Sequence, residues 1–420
     1  MYNDYSQFNF RPFNQFSITN VAYQSLNKLP DRYGTVAELM SLSAKEWSER
    51  GTSMLNKKMA EYCQQCVPDG KGMFMQGFFE KHDQQLDSDV AVIGDIHGSM
   101  ERLDITLKAL QQRGYLDKDF RCLPGKHILF IGDYVDRGSN NLEVLEKVIS
   151  FKLENKEQVT LLRGNHEDLT TNMYSSRNDK KYSEYLREGS NQDCLSSFYR
   201  SLPLTVYLGV NPGDKTPQYM QFSHALFHAY TDPAPLFSSG KRDDYLWVEG
   251  RNKFSKRIKG LRKSMKTPDE SKYQTKQREA ALKLDKLTEK YSVKFDDIYW
   301  LDVGDTIEEN EITGRVSLDP QSIKAYLTAC GSDAAKIKEL TRGHQNSILI
   351  HKYDGKIIAT TLDPSRFADE QTYMELKLSE KVRDWKRSFV KIPLLNDHLA
   401  ALEKVTVVDC SFKKEEPLRG

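Results

Sequence analysis

The stretch Gly132-Asp133-Tyr134-Val135-Asp136-Arg137-Gly138 follows directly on the apolar run Ile128-Leu129-Phe130-Ile131. Two similar units flank it along the chain: Val90–Ile93 precedes Gly94-Asp95-Ile96-His97-Gly98, and Val159–Leu162 precedes Arg163-Gly164-Asn165-His166-Glu167. Apolar runs that end in glycine-containing polar turns are typical of buried strands. Leucine and isoleucine at helical spacing separate the runs, so the order predicts an α/β sheet with parallel neighbours. Functional side chains are then expected at the carboxyl ends of these strands.

The three turns carry side chains that suit divalent cations. Asp95 and His97 lie in the first turn, Asp133 in the second and Asn165 in the third. Carboxylate and amide oxygens with imidazole nitrogens form the ligand set of paired metal ions about 3.5 to 4 Å apart. The turns therefore predict a two-metal site.

Two later histidines complete the candidate ligands. His224 follows the strand-like segment 219–223, and His344 lies in Thr341-Arg342-Gly343-His344. A lone histidine is more often an ordinary hydrogen-bonded residue, but these two follow three ligand-bearing turns. His228 lies four residues after His224 and competes for the same role.

These motifs together resemble the phosphoprotein phosphatases, within the calcineurin-like metallophosphoesterases. The shared elements are GDIHG, GDYVDRG, LLRGNHE, a later histidine at a strand end and RGH, over residues 88–235 and 297–365. The resemblance implies a metallophosphoesterase β-sandwich flanked by helices. It also implies an enzyme that hydrolyses phosphomonoesters by direct attack of a hydroxide that bridges two metal ions.

Carried over residue by residue, the resemblance implies a role for each candidate. Asp95 and His97 would bind the first metal, Asp133 would bridge, and Asn165, His224 and His344 would bind the second. His166, oriented by Asp136, would protonate the leaving oxygen, while Arg137 and Arg315 would hold the phosphate oxygens. Mn²⁺ is the expected ion, with iron or zinc as alternatives, because oxygen and imidazole ligands accept all three.

The Arg315 assignment depends on how one stretch is aligned. It matches Ile298–Asp302 and Gly314–Ser317 to the tryptophan-containing and arginine-containing stretch of the family. A competing match uses Tyr245-Leu246-Trp247 and places the insertion after it. In the alternative, Arg315 is an ordinary surface residue.

The substrate-loop region departs from the usual serine/threonine enzymes, which carry a tyrosine-containing loop after the last core strand. Here the corresponding stretch is 360–367, with Asp363-Pro364 at its centre. Some bacterial branches of the family prefer phosphotyrosine, and the chain resembles the Wip-type bacterial effector phosphatases. We therefore expect a slight preference for phosphotyrosine over phosphoserine and phosphothreonine. The alternatives are a dinucleoside-polyphosphate or other small-molecule phosphohydrolase, and an inactive binding scaffold.

A basic segment interrupts the pattern between the two halves of the motif set. Residues 254–265 and 280–291 carry apolar side chains three and four apart, which predicts an antiparallel coiled-coil hairpin inserted at 241–296. Residues 251–290 contain 14 lysines and arginines against five acids, a net charge of +9. The segment is either a solvated helical face or a binding surface for a protein or an acidic membrane.

The predicted organisation has five parts. They are an N-terminal accessory region at 1–85, a first catalytic part at 86–240, the basic hairpin at 241–296, a second catalytic part at 297–372 and a C-terminal extension at 373–420. The expected partners are phosphorylated proteins, and no specific nucleic acid is predicted.

Bulk composition sets the remaining limits. The chain has 420 residues, 38% hydrophobic and 29% charged, with a mean hydropathy of −0.65 and a net charge of +1. These values suit a folded core and exclude the low-hydrophobicity, high-charge composition of disordered proteins. No signal peptide or transmembrane run is evident, which predicts a soluble protein, cytoplasmic or secreted by a non-classical route into a host cell.

Overall fold

Two β-sheets pack face to face and form the centre of the fold. The computed structural model describes residues 35–49, 52–66, 77–210, 216–225, 232–239, 241, 243–247, 260, 271–291, 302–309, 316–364 and 369–410. Within these residues one sheet has six strands, in the order Thr406–Asp409, Lys386–Pro393, Glu370–Lys377, Asp89–Ile93, Lys126–Phe130 and Val159–Leu161. The other has seven, in the order Ile348–Tyr353, Lys356–Leu362, Lys336–Arg342, Gln218–Ser223, Thr205–Val210, Phe78–Gln84 and Asp243–Trp247. A short third sheet has the order Asp302–Val303, Val316–Leu318 and Glu308–Glu309.

The three predicted parallel strands lie at one side of the six-stranded sheet. They are β2 (Asp89–Ile93), β3 (Lys126–Phe130) and β4 (Val159–Leu161). β2 pairs in parallel with β3, with Ile93 opposite Phe130, and β3 pairs in parallel with β4. The apolar runs thus form the expected parallel core.

The C-terminal segment completes the same sheet. β14 (Glu370–Lys377) pairs antiparallel with β2, with Tyr373 opposite Ile93, and β15 (Lys386–Pro393) and β16 (Thr406–Asp409) follow. The segment expected as a C-terminal extension at 373–420 thus contributes strands to the catalytic sheet. Because β14 pairs with a strand almost 300 residues earlier in the chain, no local sequence motif predicts this pairing.

The seven-stranded sheet carries the later histidines. Its strands are β1 (Phe78–Gln84), β5 (Thr205–Val210), β6 (Gln218–Ser223), β7 (Asp243–Trp247), β11 (Lys336–Arg342), β12 (Ile348–Tyr353) and β13 (Lys356–Leu362). β1 pairs with β5, so the sheet begins before the boundary expected at residue 86. β8 (Asp302–Val303), β9 (Glu308–Glu309) and β10 (Val316–Leu318) form the third sheet.

Helices cover the outer face of each large sheet. Over the six-stranded sheet lie α1 (Val36–Ser41), α3 (Thr52–Gln65), α4 (Met100–Gln112), α5 (Asn141–Glu154) and α8 (Gly189–Arg200), whose buried side chains share one apolar cluster. Over the other lie α9 (Ala234–Ser238), α10 (Lys272–Tyr291) and α11 (Pro320–Cys330). A third cluster fills the space between the sheets. The layers are those of the predicted metallophosphoesterase sandwich.

The remaining elements are short. They are α2 (Ala44–Glu49), α6 (Leu169–Ser175), α7 (Lys180–Tyr185) and α12 (His398–Glu403), with 3₁₀ turns at Ser176–Asn178 and Val382–Asp384. Among the described residues, no helix is both long and apolar enough to cross a membrane.

The N-terminal region is partly built into the core. Val36, Leu55, Met59 and Tyr62 are buried in the cluster that α4 and α5 share. A separate accessory region over 1–85 was expected, but these side chains close the outer layer of the six-stranded sheet. Residues 1–34 lie outside the described part of the chain.

The predicted basic hairpin is described only in its second half. α10 begins at Lys272, and its Ala280 and Leu284 are buried in the cluster that contains Tyr326 of α11. These two residues were expected to form a coiled-coil seam, but they pack against the catalytic domain. The proposed partner stretch 254–265 lies outside the described residues, apart from residue 260.

Candidate metal centre

All the predicted ligands follow strands, at the carboxyl ends where the two sheets meet. In the six-stranded sheet, Asp95 and His97 follow β2, Asp133 follows β3, and Asn165 and His166 follow β4. In the seven-stranded sheet, His224 follows β6 and His344 follows β11, two strands that run parallel. Each of these side chains is at least 94% buried. The topology brings together residues that lie far apart in sequence.

The turns hold their ligands in left-handed backbone conformations. The φ angles are 49° at His97, 55° at Asp133 and 80° at His344. Such conformations cost non-glycine residues about 1–2 kcal/mol each, so the surrounding structure must impose them. Glycine is needed beside them: a Cβ at Gly164 would lie 2.2 Å from Asp133 Oδ1, and one at Gly343 would lie 2.3 Å from Asp95 Oδ1.

Asp133 lies between two groups of histidines. Its Oδ2 is 3.5 Å from His97 Nε2, 3.9 Å from His166 Nε2 and 3.3 Å from His224 Nε2. One group with metal-binding geometry joins Asp133 to His97 and His166, and the other joins it to His224 and His344. A carboxylate shared between two such groups is placed to bridge two ions.

Asn165 connects the two histidines of the second sheet. Its Oδ1 lies 2.8 Å from His224 Nε2 and 2.7 Å from His344 Nδ1. The Asp133 carboxylate lies close to the same atoms, with its Oδ2 3.3 Å from His224 Nε2. Amide oxygen, imidazole and carboxylate donors in this arrangement suit a second divalent ion.

Backbone carbonyls fix the orientation of two imidazoles. His97 Nδ1 lies 3.0 Å from the carbonyl of Val135, and His224 Nδ1 lies 3.0 Å from the carbonyl of Ile131. A carbonyl only accepts hydrogen bonds, so each Nδ1 carries a hydrogen and each Nε2 faces Asp133 with its lone pair when the ring is neutral.

Three observations fit bound cations. His97 Nε2 and Asp133 Oδ2 are buried and have no hydrogen-bond partner among the described residues. Their 3.5 Å separation is close to that of two ligands on one ion, since ligand bonds of about 2.0–2.2 Å place neighbouring ligand atoms about 3–3.5 Å apart. Asp95, Asp133 and Asp363 also lie together, and buried like charges need a counter-charge.

The pKa shifts of the candidate ligands also favour bound cations. Burial raises the pKa of Asp95 well above its usual range, and the negative charges of Asp363 and Asp133 act in the same direction. Burial also lowers the pKa of His97 to about 3, which keeps the ring neutral, as a ligand must be. Burial opposes ionisation of Asp133, but His224 and His166 outweigh it and hold its pKa well below the usual range.

A second set of contacts surrounds His166. Its Nδ1 lies 2.7 Å from Asp136 Oδ2, and its Nε2 lies 3.2 Å from Nη2 of Arg137. Burial acts to lower the pKa of His166, but Asp133 and Asp136 outweigh it and raise that pKa above the ordinary value. An imidazole beside a guanidinium is suited to contact a phosphate group, and its raised pKa favours the protonated form that a proton donor needs.

Comparison with known proteins finds a family match over about half of the chain. The calcineurin-like phosphoesterase family matches residues 88–295, which include Asp95, Asp133, His166 and His224. This chain carries a calcineurin-like phosphoesterase domain. It is accordingly a metal-binding hydrolase of phosphate esters.

Several solved structures are similar to this phosphoesterase at low identity. A protein serine/threonine phosphatase from Saccharomyces cerevisiae, with similarity to human phosphatase PP5, is 14% identical; the match covers 88% of this chain and 92% of that one, with a TM-score of 0.49. A cold-active protein tyrosine phosphatase is 15% identical, with 83% and 82% covered and a TM-score of 0.42. A cold-active protein-tyrosine phosphatase from a psychrophilic Shewanella species is 15% identical, with 78% and 81% covered and a TM-score of 0.40.

Sequence reasoning missed the residue that ties the second and third turns of the phosphoesterase together. Glu167 accepts hydrogen bonds from the backbone N–H groups of Asp133 (2.8 Å), Tyr134 (2.9 Å) and Gly164 (2.7 Å). Burial, together with repulsion by Asp133, raises the pKa of Glu167 to about 7. The glutamate in the LLRGNHE motif was the available signal.

Asp363 was also missed as part of the site. It is 1% exposed and follows β13, its side chain accepts a hydrogen bond from the backbone N–H of Asn346, and its own N–H donates to the carbonyl of Ser347. It thereby holds the turn after His344 and lies against Asp95. Its position in the altered loop at 360–367 was the signal.

Two sequence candidates lie outside the described residues, namely Arg315 and the rival ligand His228. The two alignments differ in which described residue they use, Asp302 in one and Tyr245 in the other. Asp302 Oδ1 lies 3.9 Å from His344 Nε2, whereas Tyr245 belongs to β7 at the edge of the seven-stranded sheet. Of the residues in the first alignment that the structure describes, Asp302 therefore lies beside the metal centre.

Proposed function

We propose that this protein is a two-metal phosphoprotein phosphatase that hydrolyses phosphomonoesters by direct attack of water, with phosphotyrosine as the preferred substrate. The observation that carries the proposal is the position of Asp133, whose Oδ2 faces His97 on one side and His224 on the other. The paired His166 and Asp136 supply an acid at the same centre.

The contacts at the centre support a role for each proposed ligand. Asp95, His97 and Asp133 would hold the first ion, and Asp133, Asn165, His224 and His344 the second. When bound, two divalent ions, Mn²⁺ first among the candidates and iron or zinc next, polarise phosphate oxygens and lower the pKa of a water from 15.7 toward about 7.

The residues beside the metal centre would handle the phosphate and the leaving group. The Arg137 guanidinium lies next to His166 Nε2 and can hold two phosphate oxygens at once. His166, whose ring is fixed by Asp136, would give a proton to the departing oxygen. Arg315 is proposed as the second arginine on the phosphate.

The preference for phosphotyrosine rests on the altered loop after β13. Asp363 holds the turn that carries His344, where the usual serine/threonine enzymes have a tyrosine-containing loop. That change alters the wall of the substrate site, so serine/threonine specificity does not carry over to this chain.

Two alternative functions make different demands. A dinucleoside-polyphosphate hydrolase would use the same centre on a small substrate. An inactive scaffold would need neither the group of buried carboxylates nor the His166–Asp136 pair. Buried carboxylates close together are unfavourable without bound cations.

Initial rates on a matched substrate panel test the proposal. The panel contains one peptide carrying phosphotyrosine or phosphothreonine at the same position, and diadenosine tetraphosphate. We expect Mn²⁺-dependent hydrolysis of both peptides, with the larger kcat/KM for phosphotyrosine. Hydrolysis of the dinucleotide alone would favour the small-molecule enzyme, and no hydrolysis of any substrate would favour the scaffold.

A further inference from the structure

Five lysines from four elements converge on the outer side of the seven-stranded sheet. They are Lys276 on α10, Lys324 on α11, Lys336 and Lys338 on β11, and Lys356 at the start of β13, and together they are called the lysine cluster below. Of these, only Lys276 belongs to the basic segment seen in the sequence, so the fold adds four cations from elsewhere.

The packing of the elements fixes the lysine cluster in place. β11 runs parallel to β13, with Leu340 opposite Ala359, and α10 and α11 pack together over β11. The strand register shifts between Ile337 and Glu339, so Lys338 occupies the irregular position. Lys336 Nζ lies 5.3 Å from the centre of the Tyr273 ring of α10. The backbone positions of the lysine cluster are therefore fixed by packed helices and strands.

The acidic residue of β11 is already paired with a cation of β15. Glu339 lies on the same strand, but its carboxylate is buried and accepts a hydrogen bond from Nη2 of Arg387 at 2.7 Å. Burial, then repulsion by Lys324, Lys336, Lys276 and Lys356, lowers the pKa of Lys338 to about 8. Partial burial and repulsion by neighbouring lysines disfavour the ammonium groups of Lys324 and Lys338, and a bound anion would offset that cost.

The lysine cluster is separate from the metal centre. Lys336 begins β11, whereas His344 follows the carboxyl end of the same strand. Eight residues at about 3.3 Å each separate the two positions by roughly 26 Å. Because a chain extends at most about 3.6 Å per residue, a substrate segment of roughly 8–12 residues can reach from one to the other.

We propose that the lysine cluster binds an acidic or phosphorylated segment of the protein substrate while the phosphorylated residue to be hydrolysed occupies the metal centre. The proposal rests on the proposed protein phosphatase function. Ammonium groups act as point charges without a fixed fork, so they suit a stretch of several carboxylates or phosphates. Attachment at a second point raises the effective concentration of the reacting phosphate and lowers KM without a change in chemistry.

Binding is measured first, without catalysis. The probe is a fluorescein-labelled peptide of alternating glutamate and glycine that carries no phosphate, titrated with full-length protein and followed by anisotropy at two salt concentrations. The test variant is Lys276→Glu/Lys356→Glu, which changes the two exposed members of the lysine cluster. The control is Lys118→Glu/Lys180→Glu, which changes the net charge by the same amount as the test variant. These two lysines lie outside the lysine cluster, and their side chains are 89% and 90% exposed.

We expect the test variant to bind at least tenfold more weakly than wild type, the control to lose less than twofold, and binding to weaken with salt. With a phosphopeptide carrying a glutamate stretch about ten residues from the phosphate, only the test variant should raise KM, at unchanged kcat. Equal peptide binding by both variants would overturn the proposal. So would wild-type binding to phosphatidylserine vesicles or RNA but not to the peptide. Peptide binding without phosphopeptide hydrolysis would instead contradict the proposed phosphatase function.

Discussion

The Nδ1 atom of His166 lies 2.7 Å from Oδ2 of Asp136, and both side chains are buried. Asp136 Oδ2 also accepts a hydrogen bond from the side chain of Asn172 at 2.8 Å, and Tyr199 donates to that asparagine at 3.0 Å. A buried chain of hydrogen bonds therefore fixes the ring of His166 beside the proposed phosphate site.

Substitution of the proposed acid should separate chemistry from metal binding. His166→Asn is expected to lower kcat by about 10²–10⁴ because the leaving oxygen loses its proton donor. Elemental analysis should show unchanged metal content. His398→Asn, in a histidine at the start of α12, should retain full activity. Wild-type kcat in His166→Asn would remove this residue from the acid role.

Asn172 is expected to act through His166 and Asp136. Asn172→Ala should lower kcat about 10–100-fold, as loss of a supporting hydrogen bond does around other centres. The loss should be smaller on para-nitrophenyl phosphate than on phenyl phosphate, since the more acidic leaving group needs less proton donation. Equal losses on the two esters would indicate general destabilisation of the fold.

A histidine far from the metal centre gives a pH-dependent contribution to stability. Burial acts to lower the pKa of His82, but hydrogen bonds and charges from Asp243 and Glu80 outweigh it and raise that pKa to about 9. The unfolded value is near 6.5, so the ion-paired form stabilises the fold fully below about pH 6.5 and this contribution is lost as the pH rises through about 9.

Urea unfolding of wild type and His82→Gln at several pH values measures this contribution. The free energy of unfolding should differ by on the order of 1–2 kcal/mol near pH 6, a modest figure because Asp243 is exposed. The difference should shrink toward pH 9.5. Parallel stability curves across that range would contradict the assignment.

Helix α10 should contribute to the stability of the catalytic domain. Leu284 is 4% exposed and packs in the cluster that holds Tyr326. Leu284→Ala is expected to cost about 2–5 kcal/mol, as for other buried leucines. The exposed Leu282→Ala, on the same helix and 42% exposed, should cost much less. Equal, small effects of the two substitutions would contradict a stabilising contact between α10 and the catalytic domain.

The sequence predicted the parallel strands and the turns of the site because both are local. Each apolar run and the polar turn after it are contiguous, as in Ile128–Gly138, and the motifs appear in chain order. The structure brings Asp95, Asp133, Asn165 and His224 within a few ångströms of one another.

The missing features depend on contacts that are distant in sequence. β14 carries no motif, and its pairing of Tyr373 with Ile93 joins the two ends of the fold. The apolar periodicity of α10 shows that one face is buried but not against what; in the structure Ala280 and Leu284 lie in the cluster that contains Tyr326 of α11. The role of Asp363 depends on a turn that only the folded chain brings beside Asp95.

Metal content and phosphopeptide hydrolysis, measured on the same samples of wild type and Asp133→Asn, test the central claim most directly. We expect two divalent ions per wild-type chain, loss of activity on chelation and recovery with Mn²⁺, while Asp133→Asn loses ions and activity together. Two results would contradict a two-metal centre bridged by Asp133. One is an undiminished rate in wild-type protein that elemental analysis shows to be free of metal, and the other is full metal content and activity in Asp133→Asn.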